Sequence, residues 1–547
     1  MSSRPGPSFR YSMESTSALP IYRINDDILS LIVQINANMF ENKGAFLFTR
    51  NASQVCHTWR QALLASPSVW ARLLDIDQLR HMPEWWGHKV LRRASTAPLW
   101  IKSTEVGRYM QREVGFLLHV LDTRWNNVER LYIRTSTVEG TKVTHHDWNA
   151  LFRPAPLLKE LGLYISGLED AVFDFPLLGD SAPSLRVFRA KDVKFSARAT
   201  WLNGLRSVTV GNSSLPEIMQ ILQGAPLLEY LRIEKLDGEG NVKQQALPIV
   251  RLRHLKHLDI SSSQLRVCSS LLECLTIPPN CSLIITRMFI PTKDTLEYIL
   301  TDLLHPLSQF MDRYLAFHNS STISITHSSK SFSLKDNSSP EEDSTCFALT
   351  ICLEGNTGFT PYVLDIIMGA FSPALSRTAF LKFGTFRAPT GIIDVLISFL
   401  PQSPMIRTLE TDERFILHLF EAQEDSTELL LPTLHTIKLD TFNVSFLGCF
   451  GGNNEENRSA LVDYLVLRSE AGKPINILDL TQCSDLDVNT LIPFLEDLSL
   501  FGLKILWARY GMSNSIQQFE HVCEGSGLDV ASRFVVSPSL SGASSID

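Results

Sequence analysis

Two short runs of the sequence hold ionisable side chains of the kinds that carry out chemistry. His145, His146 and Asp147 are metal-ligand types, and Cys56 followed by His57 has the composition of a nucleophile with its base. Adjacent side chains rarely point at one ion, and no further ligand follows at a helical step. Neighbouring residues on a helix diverge by about 100°, so Cys56 and His57 would not face each other. Neither run predicts a metal site or a catalytic pair.

The cysteines and glycines do not form a known reactive motif either. Among the nine cysteines, Cys268, Cys274 and Cys281 have a spacing unlike that of zinc knuckles, and no CxxC pair occurs. An odd number of scattered cysteines in so long a chain is typical of reduced thiols in the cytoplasm or nucleus. Gly451 and Gly452 lack the lysine that a phosphate-binding loop needs. We therefore expect no cofactor, no metal and no enzymatic activity.

The composition of the chain disfavours nucleic acid and membrane as binding partners. The chain has 547 residues and a formal net charge of −8, which disfavours generic nucleic-acid binding. No apolar run approaches the roughly 20 residues needed to cross a bilayer, so no membrane partner is expected. Residues 1–18 lack the apolar core of a secretory signal and are predicted to be disordered, and the Ser/Gly-rich residues 511–547 are predicted to form a mostly mobile tail.

Residues 19–75 are predicted to form short amphipathic helices. Between Ile24 and Ile35 the apolar residues recur at helical steps, and Asn25 and Asp26 are suited to cap the start. A second helical stripe runs from Ala52 to Leu63. About 50 residues make only a marginal core, so this apolar surface must pack either on the rest of the chain or on a partner. Periodicity alone leaves both alternatives open.

Residue identity adds a resemblance to a known family. Asp26 to Ile32, then Val55 to Arg60 with a Val-Cys-x-x-Trp-Arg order, then Ser66 to Trp70 with a Pro-x-x-Trp close, together resemble the F-box, although Asn25 stands where the family has proline. The resemblance implies docking to a Skp adaptor and, through it, to a cullin ubiquitin ligase. Carried over by position, the residues that would form or support the adaptor-binding surface are Ile24, Ile28, Leu29, Ile32, Val55, Cys56, Trp59, Leu63 and Trp70.

A second pattern starts near Val128. Six segments share the form apolar-x-x-apolar-x-apolar, and their starts are 30, 27, 20, 23 and 27 residues apart, as in leucine-rich repeats. Residues 80–510 are therefore predicted to be a leucine-rich-repeat-like α/β solenoid, with an irregular stretch of short strands and polar turns near 320–345. Two separate bodies divided near that stretch are the alternative. The six segments are Val128–Ile133, Leu158–Leu163, Leu185–Ala190, Leu205–Val210, Leu228–Ile233 and Leu255–Ile260.

The residues between the apolar positions are predicted to point outward along the strand-lined face. Tyr and Arg are common anchors in protein interfaces, so this face is a candidate for binding a target protein, and a solvated charged face is the alternative. The candidate target-binding residues are Arg130, Tyr132, Arg134, Tyr164, Arg189, Arg232 and His257.

The order of box, short strand at 94–101 and degenerate repeats resembles that of fungal F-box proteins with leucine-rich-like repeats. This resemblance implies a substrate-recognition subunit of a Skp–cullin–F-box ubiquitin ligase in the cytoplasm or nucleus. The fold class expected is α/β, with a small helical F-box followed by an irregular leucine-rich-repeat-like solenoid. A repeat-based interaction scaffold acting outside a ubiquitin ligase is the alternative.

Overall fold

The structure, a computed structural model, describes most of the chain and divides it into two compact units, Met1–Thr209 and Val210–Asp547. The boundary falls inside the strand Ser207–Gly211. The residues described are 25–83, 85–106, 111–135, 145–165, 176–191, 193, 195–237, 247–261, 265–290, 296–318, 322–328, 330–337, 347–353, 359–384, 388–441, 460–483, 500–510, 516–524 and 535–536. Ile24 and the predicted disordered residues 1–18 lie outside this set.

The first unit starts with helices and continues with parallel strands. Its helices are α1 Asp26–Asn36, α2 Ala45–Ala52, α3 His57–Leu64, α4 Pro67–Trp70, α5 Ile76–Leu79, α6 Trp85–Ala94 and α7 Gln111–Arg124, with 3-10 turns at Trp125–Asn127, His145–Phe152, Leu177–Asp180 and Thr200–Gly204. Its strands are β1 Leu74–Asp75, β2 Leu99–Val106, β3 Val128–Thr135, β4 Glu160–Ile165, β5 Val187–Lys191 and β6 Ser207–Gly211.

The second unit alternates strands and helices. Its helices are α8 Leu215–Gly224, α9 Leu265–Cys274, α10 Leu296–His318, α11 Pro361–Leu375, α12 Thr390–Ser398, α13 Glu413–Glu424 and α14 Ala460–Glu470, with a 3-10 turn at Leu400–Gln402. Its strands are β7 Ser213–Ser214, β8 Tyr230–Ile233, β9 Leu236–Asp237, β10 Val250–Arg251, β11 His257–Ser261, β12 Leu275–Thr276, β13 Ser282–Ile290, β14 Thr322–His327, β15 Ser331–Asp336, β16 Phe347–Leu353, β17 Phe380–Gly384, β18 Thr408–Asp412, β19 Thr436–Thr441, β20 Ile477–Leu480, β21 Lys504–Tyr510, β22 Ile516–Val522 and β23 Val535–Val536.

The apolar-x-x-apolar-x-apolar segments build the core as predicted. All eighteen inward positions of the six segments are at most 3% exposed. In the first unit, β1 to β5 pair in parallel, and their register aligns Ile101, Leu131, Leu161 and Phe188 in one buried row. A strand with one apolar row has no stable fold alone, and stacking the rows gives a continuous core. The result is a mixed α/β architecture dominated by parallel strands.

The irregular stretch near 320–345 is a change of strand order inside the second unit. The strands β8, β11, β13 and β16 pair in parallel, β16 then pairs antiparallel with β15, and β15 pairs antiparallel with β14. Parallel pairing resumes from β14 to β17 and continues through β18, β19, β20 and β21. Strands on both sides of 320–345 thus lie in the same unit, and the division of the chain is at 209/210 instead.

The second unit also differs from the prediction at its C-terminal end. Within the predicted mobile tail, β22 pairs antiparallel with β21 from Ile516 to Val522. Phe519 stacks on Trp507 of β21 with the ring centres 5.5 Å apart, and Cys523 is 1% exposed. The segment is thus a strand with apolar contacts to β21, although its Ser/Gly-rich surroundings predict none.

Candidate protein-docking site

Helix α1 carries apolar side chains on two faces. Leu29 and Val33 are each 1% exposed and belong to the core. At about 100° per residue, the remaining four large apolar residues of α1 share a separate face, which we call the α1 stripe. They are Ile28, Leu31, Ile32 and Ile35, with exposed fractions of 54%, 58%, 40% and 64%.

Hydrogen bonds fix α1 with this stripe turned to solvent. The Asn25 side chain caps the helix by accepting from the backbone N–H of Asp27. The Gln34 side-chain amide donates to the hydroxyl oxygens of Ser30 and Ser68. Arg72 donates from Nη1 to the carbonyl oxygen of Gln34 over 2.9 Å. The bonds from Gln34 to Ser68 and from Arg72 to Gln34 tie the polar flank of α1 to the chain around α4, so rotation of the stripe into the core would break them.

Further apolar side chains are exposed in the helical segment formed by α1 to α4. Val55, in the turn before α3, is 56% exposed, and Leu47 on α2 is 54% exposed. Phe48 and Leu64 are 37% and 36% exposed. Exposed apolar residues at this density commonly mark a protein-interaction surface.

Cys56 and Trp59 occupy the start of α3. Cys56 is the N-cap residue, and its sulfur accepts from the backbone N–H of Trp59 over 3.5 Å. Both side chains are half-buried. The cap explains the position of Cys56 without any catalytic role for the neighbouring His57, whose side chain is exposed.

Three residues predicted for the adaptor-binding surface belong to the internal core instead. Leu29, Leu63 and Trp70 are 1%, 0% and 1% exposed, so no partner can contact them in this conformation. The Trp70 indole donates to the carbonyl oxygen of Leu63, and the guanidinium carbon of Arg93 lies 4.2 Å from its ring centre. Ile24, the remaining predicted residue of this helical face, lies outside the described residues.

The helical segment also packs on the strands that follow it. Lys102 on β2 donates from Nζ to the carbonyl oxygen of Met39. The Arg130 guanidinium carbon lies 4.5 Å from the ring centres of both Phe40 and Trp100. Arg130 also pairs with Glu160 over 2.7 Å. Arg130 was predicted to bind a target, but its cation is already engaged within its own unit.

The other predicted target-binding residues of the first unit lie on the outward side of β3 to β5. The register aligns Tyr132 with Arg189 across Gly162, and Arg134 with Tyr164. The rings of Tyr132 and Tyr164 have centres 5.4 Å apart. The absence of a side chain at Gly162 makes room for the Tyr132 ring, because a Cβ there would be 2.5 Å from Tyr132 Cδ2. Arg134 and Arg189 are exposed.

In the second unit, Arg232 and His257 lie on the paired strands β8 and β11, where the register places Arg232 opposite Asp259 and His257 opposite Tyr230. Arg232 Nε lies 3.5 Å from Asp259 Oδ2 and 3.9 Å from Glu234 Oε1. Burial lowers the pKa of His257, and it raises the pKa of Asp259 against the opposing influence of Arg232. The Arg232 charge is therefore largely balanced by its own chain, which weakens it as an anchor for an acidic partner.

The described residues include metal-ligand side chains and buried thiols. Among them, no group of three or more His, Cys, Asp or Glu side chains could hold a metal ion. Burial raises the pKa of Cys268, Cys281 and Cys483 to about 12, which keeps these thiols protonated and unreactive near neutral pH. No helix in the described part of the chain is both long and apolar enough to traverse a bilayer.

Comparisons with known proteins give a distant structural likeness. No protein-family model matches the chain, and no curated protein matches it in sequence. Among solved structures, the chain is similar to the leucine-rich repeat-containing protein LegL7 from Legionella pneumophila, at 11% sequence identity and a TM-score of 0.22. The similarity covers 71% of this chain and 92% of that one.

Proposed function

We propose that this protein is the substrate-recognition subunit of a Skp–cullin–F-box ubiquitin ligase. The α1 stripe would dock to the Skp adaptor, together with Val55 and the accessible parts of Cys56 and Trp59. The repeat strands would hold a target protein. Catalysis would then belong to other subunits, and this chain would raise the effective concentration of the target near them. The assembly would operate in the cytoplasm or nucleus.

The observation that carries the proposal is the exposed apolar face of a helix whose other apolar face is already buried. Each half-exposed aliphatic side chain of the α1 stripe contributes on the order of 1 kcal/mol when a partner covers it. A helix that served only as a cap on the following strands would need one apolar face, and Leu29 and Val33 provide that face. The second face fits a separate polypeptide and agrees with the F-box order of residues.

A co-purification experiment in cells tests the proposal. The tagged full-length chain is expected to recover a Skp adaptor and a cullin, and the Ile28→Asp/Ile32→Asp variant is expected to recover neither. Leu157→Asp is the matched control, because Leu157 is 43% exposed in the same unit but lies before β4. Point variants test the docking surface more specifically than deletion of residues 1–80. The deletion would also expose Trp100 and Arg130, which contact Phe40.

A wild-type chain that recovers no Skp adaptor, or a variant that recovers it as well as wild type, would contradict the proposal. A wild-type chain that recovers other proteins through its repeat strands, without adaptor or cullin, would favour an interaction scaffold outside a ubiquitin ligase. Repeat architectures with extended strand-lined surfaces are typical of such scaffolds.

A further inference from the structure

Helix α6 presents a cationic and aromatic face that the proposed function does not use. Its inner face is formed by Gly87, Val90, Leu91 and Ala94, all of which are buried. Its outer face carries Trp85, Lys89 and Arg92 at steps of four and three residues. Trp85 is 52% exposed, which is unusual for so large an apolar side chain.

Aromatic contacts hold this outer face in place. Trp85 stacks on Trp86 with the ring centres 5.0 Å apart, and Trp86 meets Phe46 of α2 edge to face. Lys89 Nζ lies 4.7 Å from the Trp85 ring centre and 5.1 Å from that of Trp86. The ammonium group is therefore positioned over the rings and does not extend freely into water.

Among the described side chains, the charges that shift the pKa of Lys89 and Arg93 are all positive. Burial lowers the pKa of both Lys89 and Arg93. The positive charges of Arg92 and of Arg60 on α3 lower both pKa values further, and the charge of Arg93 also lowers the pKa of Lys89. Among the described side chains, no carboxylate forms an ion pair with Arg60, Lys89, Arg92 or Arg93. Arg92 and Arg93 suit the negative end of the helix dipole. The helix dipole does not account for Lys89 or Arg60, in a protein whose net charge is −8.

We infer that this face, Trp85, Lys89 and Arg92 of α6 with Arg60 of α3, binds an acidic segment of a protein partner. We call it the α6 patch. Carboxylates of the segment would pair with the arginines, and an apolar side chain would pack beside Trp85. Clustered cations repel one another in the free protein, and an acidic segment would relieve that repulsion while gaining charge-assisted hydrogen bonds. Trp and Arg are also the residues most often found as interface anchors.

Fluorescence anisotropy with the full-length protein tests this inference. The probe is a fluorescein-labelled glutamate-rich peptide that contains one leucine, and the comparison probe has glutamine in place of every glutamate. The glutamate-rich peptide is expected to bind, with an affinity that decreases as salt increases, and the glutamine peptide is expected to bind at least about tenfold more weakly. Failure of the glutamate-rich peptide to bind, or equal binding of the two peptides, would overturn the inference.

Variants then locate the site. Lys89→Glu/Arg92→Glu is expected to weaken binding by at least about tenfold. Arg198→Glu/Arg253→Glu, which reverses two exposed arginines elsewhere in the chain, is expected to change it by less than about twofold. Trp85→Ala is expected to weaken binding of the leucine-containing peptide more than that of an all-glutamate peptide. Equal effects of the two double variants would overturn the assignment.

Two further comparisons distinguish the α6 patch from a nucleic-acid site and from the α1 stripe. A single-stranded RNA that binds more tightly than the glutamate-rich peptide, through the same residues, would overturn the choice of an acidic protein segment. Ile28→Asp/Ile32→Asp is expected to leave peptide binding unchanged, because the α6 patch does not contain the α1 stripe. Adaptor docking can therefore fail while the α6 patch is upheld, and the reverse can also occur.

Discussion

The indole Nε1 of Trp70 donates a 2.8 Å hydrogen bond to the carbonyl oxygen of Leu63. This bond joins α4 to the last turn of α3 and leaves both side chains essentially inaccessible. The tryptophan that closes the F-box-like pattern therefore stabilises the helical segment and does not contact a partner. In that role Trp70 holds α3 in place behind the exposed surface.

Trp70→Ala is expected to lower the free energy of unfolding by about 3–5 kcal/mol, because it leaves a large cavity and an unpaired carbonyl. Trp85→Ala, at a 52% exposed position, is expected to cost less than about 1 kcal/mol. Urea denaturation of the two variants, followed by circular dichroism, measures the difference. Similar losses for both variants would contradict the assignment of Trp70 to the core.

Arg130 is expected to contribute to stability more than to target binding. Arg130→Lys is predicted to lower the free energy of unfolding by about 1–2 kcal/mol, because lysine cannot stack between Phe40 and Trp100 while it pairs with Glu160. Arg134→Lys, at an exposed position on the same strand, is expected to stay within about 0.5 kcal/mol of wild type. Chemical denaturation checks both values, and a stable Arg130→Lys variant that loses only target binding would contradict the prediction.

Gly162 is expected to tolerate a side chain only if Tyr132 moves. Gly162→Ala is predicted to cost about 1–3 kcal/mol, because the added Cβ would lie 2.5 Å from Tyr132 Cδ2. In the Tyr132→Ala background the same change is expected to cost less than about 0.5 kcal/mol, which a double-mutant cycle would show as coupling. Gly115→Ala is the control, since nothing lies within 4 Å of its added Cβ, and it is expected to stabilise α7 by about 0.5–1 kcal/mol. Additive effects at 132 and 162 would contradict the close contact.

The buried thiol of Cys268 is expected to be inert in the folded protein. Its pKa is raised by burial from 9.0 to about 12, whereas the thiol in the unfolded chain keeps its ordinary value. Unfolding therefore releases a proton between pH 9 and 12, and this thiol lowers the free energy of unfolding by about 1.4 kcal/mol per pH unit as pH rises through that window. Below pH 9 the thiol is protonated in both states and has no such effect.

Two measurements check the behaviour of Cys268. Maleimide labelling near neutral pH, read by peptide mass spectrometry, is expected to modify half-buried Cys56 and to spare Cys268 until urea is added. Cys268→Ala is expected to remove that thiol's share of the stability loss at high pH. Labelling of Cys268 in the native state at the rate of Cys56 would contradict the prediction.

The repeated core was predictable from the sequence because the apolar-x-x-apolar-x-apolar pattern shows which residues of each strand point inward. The same frame continues at residues 378–383 and 406–411, where sequence analysis missed the strands β17 and β18. Thr378 and Thr411 occupy inward positions there at 1% and 0% exposure. A polar threonine at such a position breaks the apolar pattern, although it fills the volume that a small apolar side chain would fill.

The candidate docking surface was only half predictable. Periodicity identified α1 as an amphipathic helix, but α1 is apolar on two faces, and the sequence of one helix does not say which face its own chain covers. The polar contacts that decide this, from Gln34 to Ser68 and from Arg72 to Gln34, join residues more than 30 positions apart. The α6 patch was missed for a different reason: its signal, Trp85, Lys89 and Arg92 at helical spacing, is brought beside Arg60 only by the packing of the helices.

The central claim is that the α1 stripe is covered by a Skp adaptor. Isothermal titration of the purified full-length chain with the Skp adaptor of its source organism measures this directly. We predict saturable binding to wild type, a loss of at least about tenfold in affinity for Ile28→Asp/Ile32→Asp, and an unchanged affinity for Leu157→Asp. No heat of binding with wild type, or equal affinity for wild type and the stripe variant, would contradict the claim.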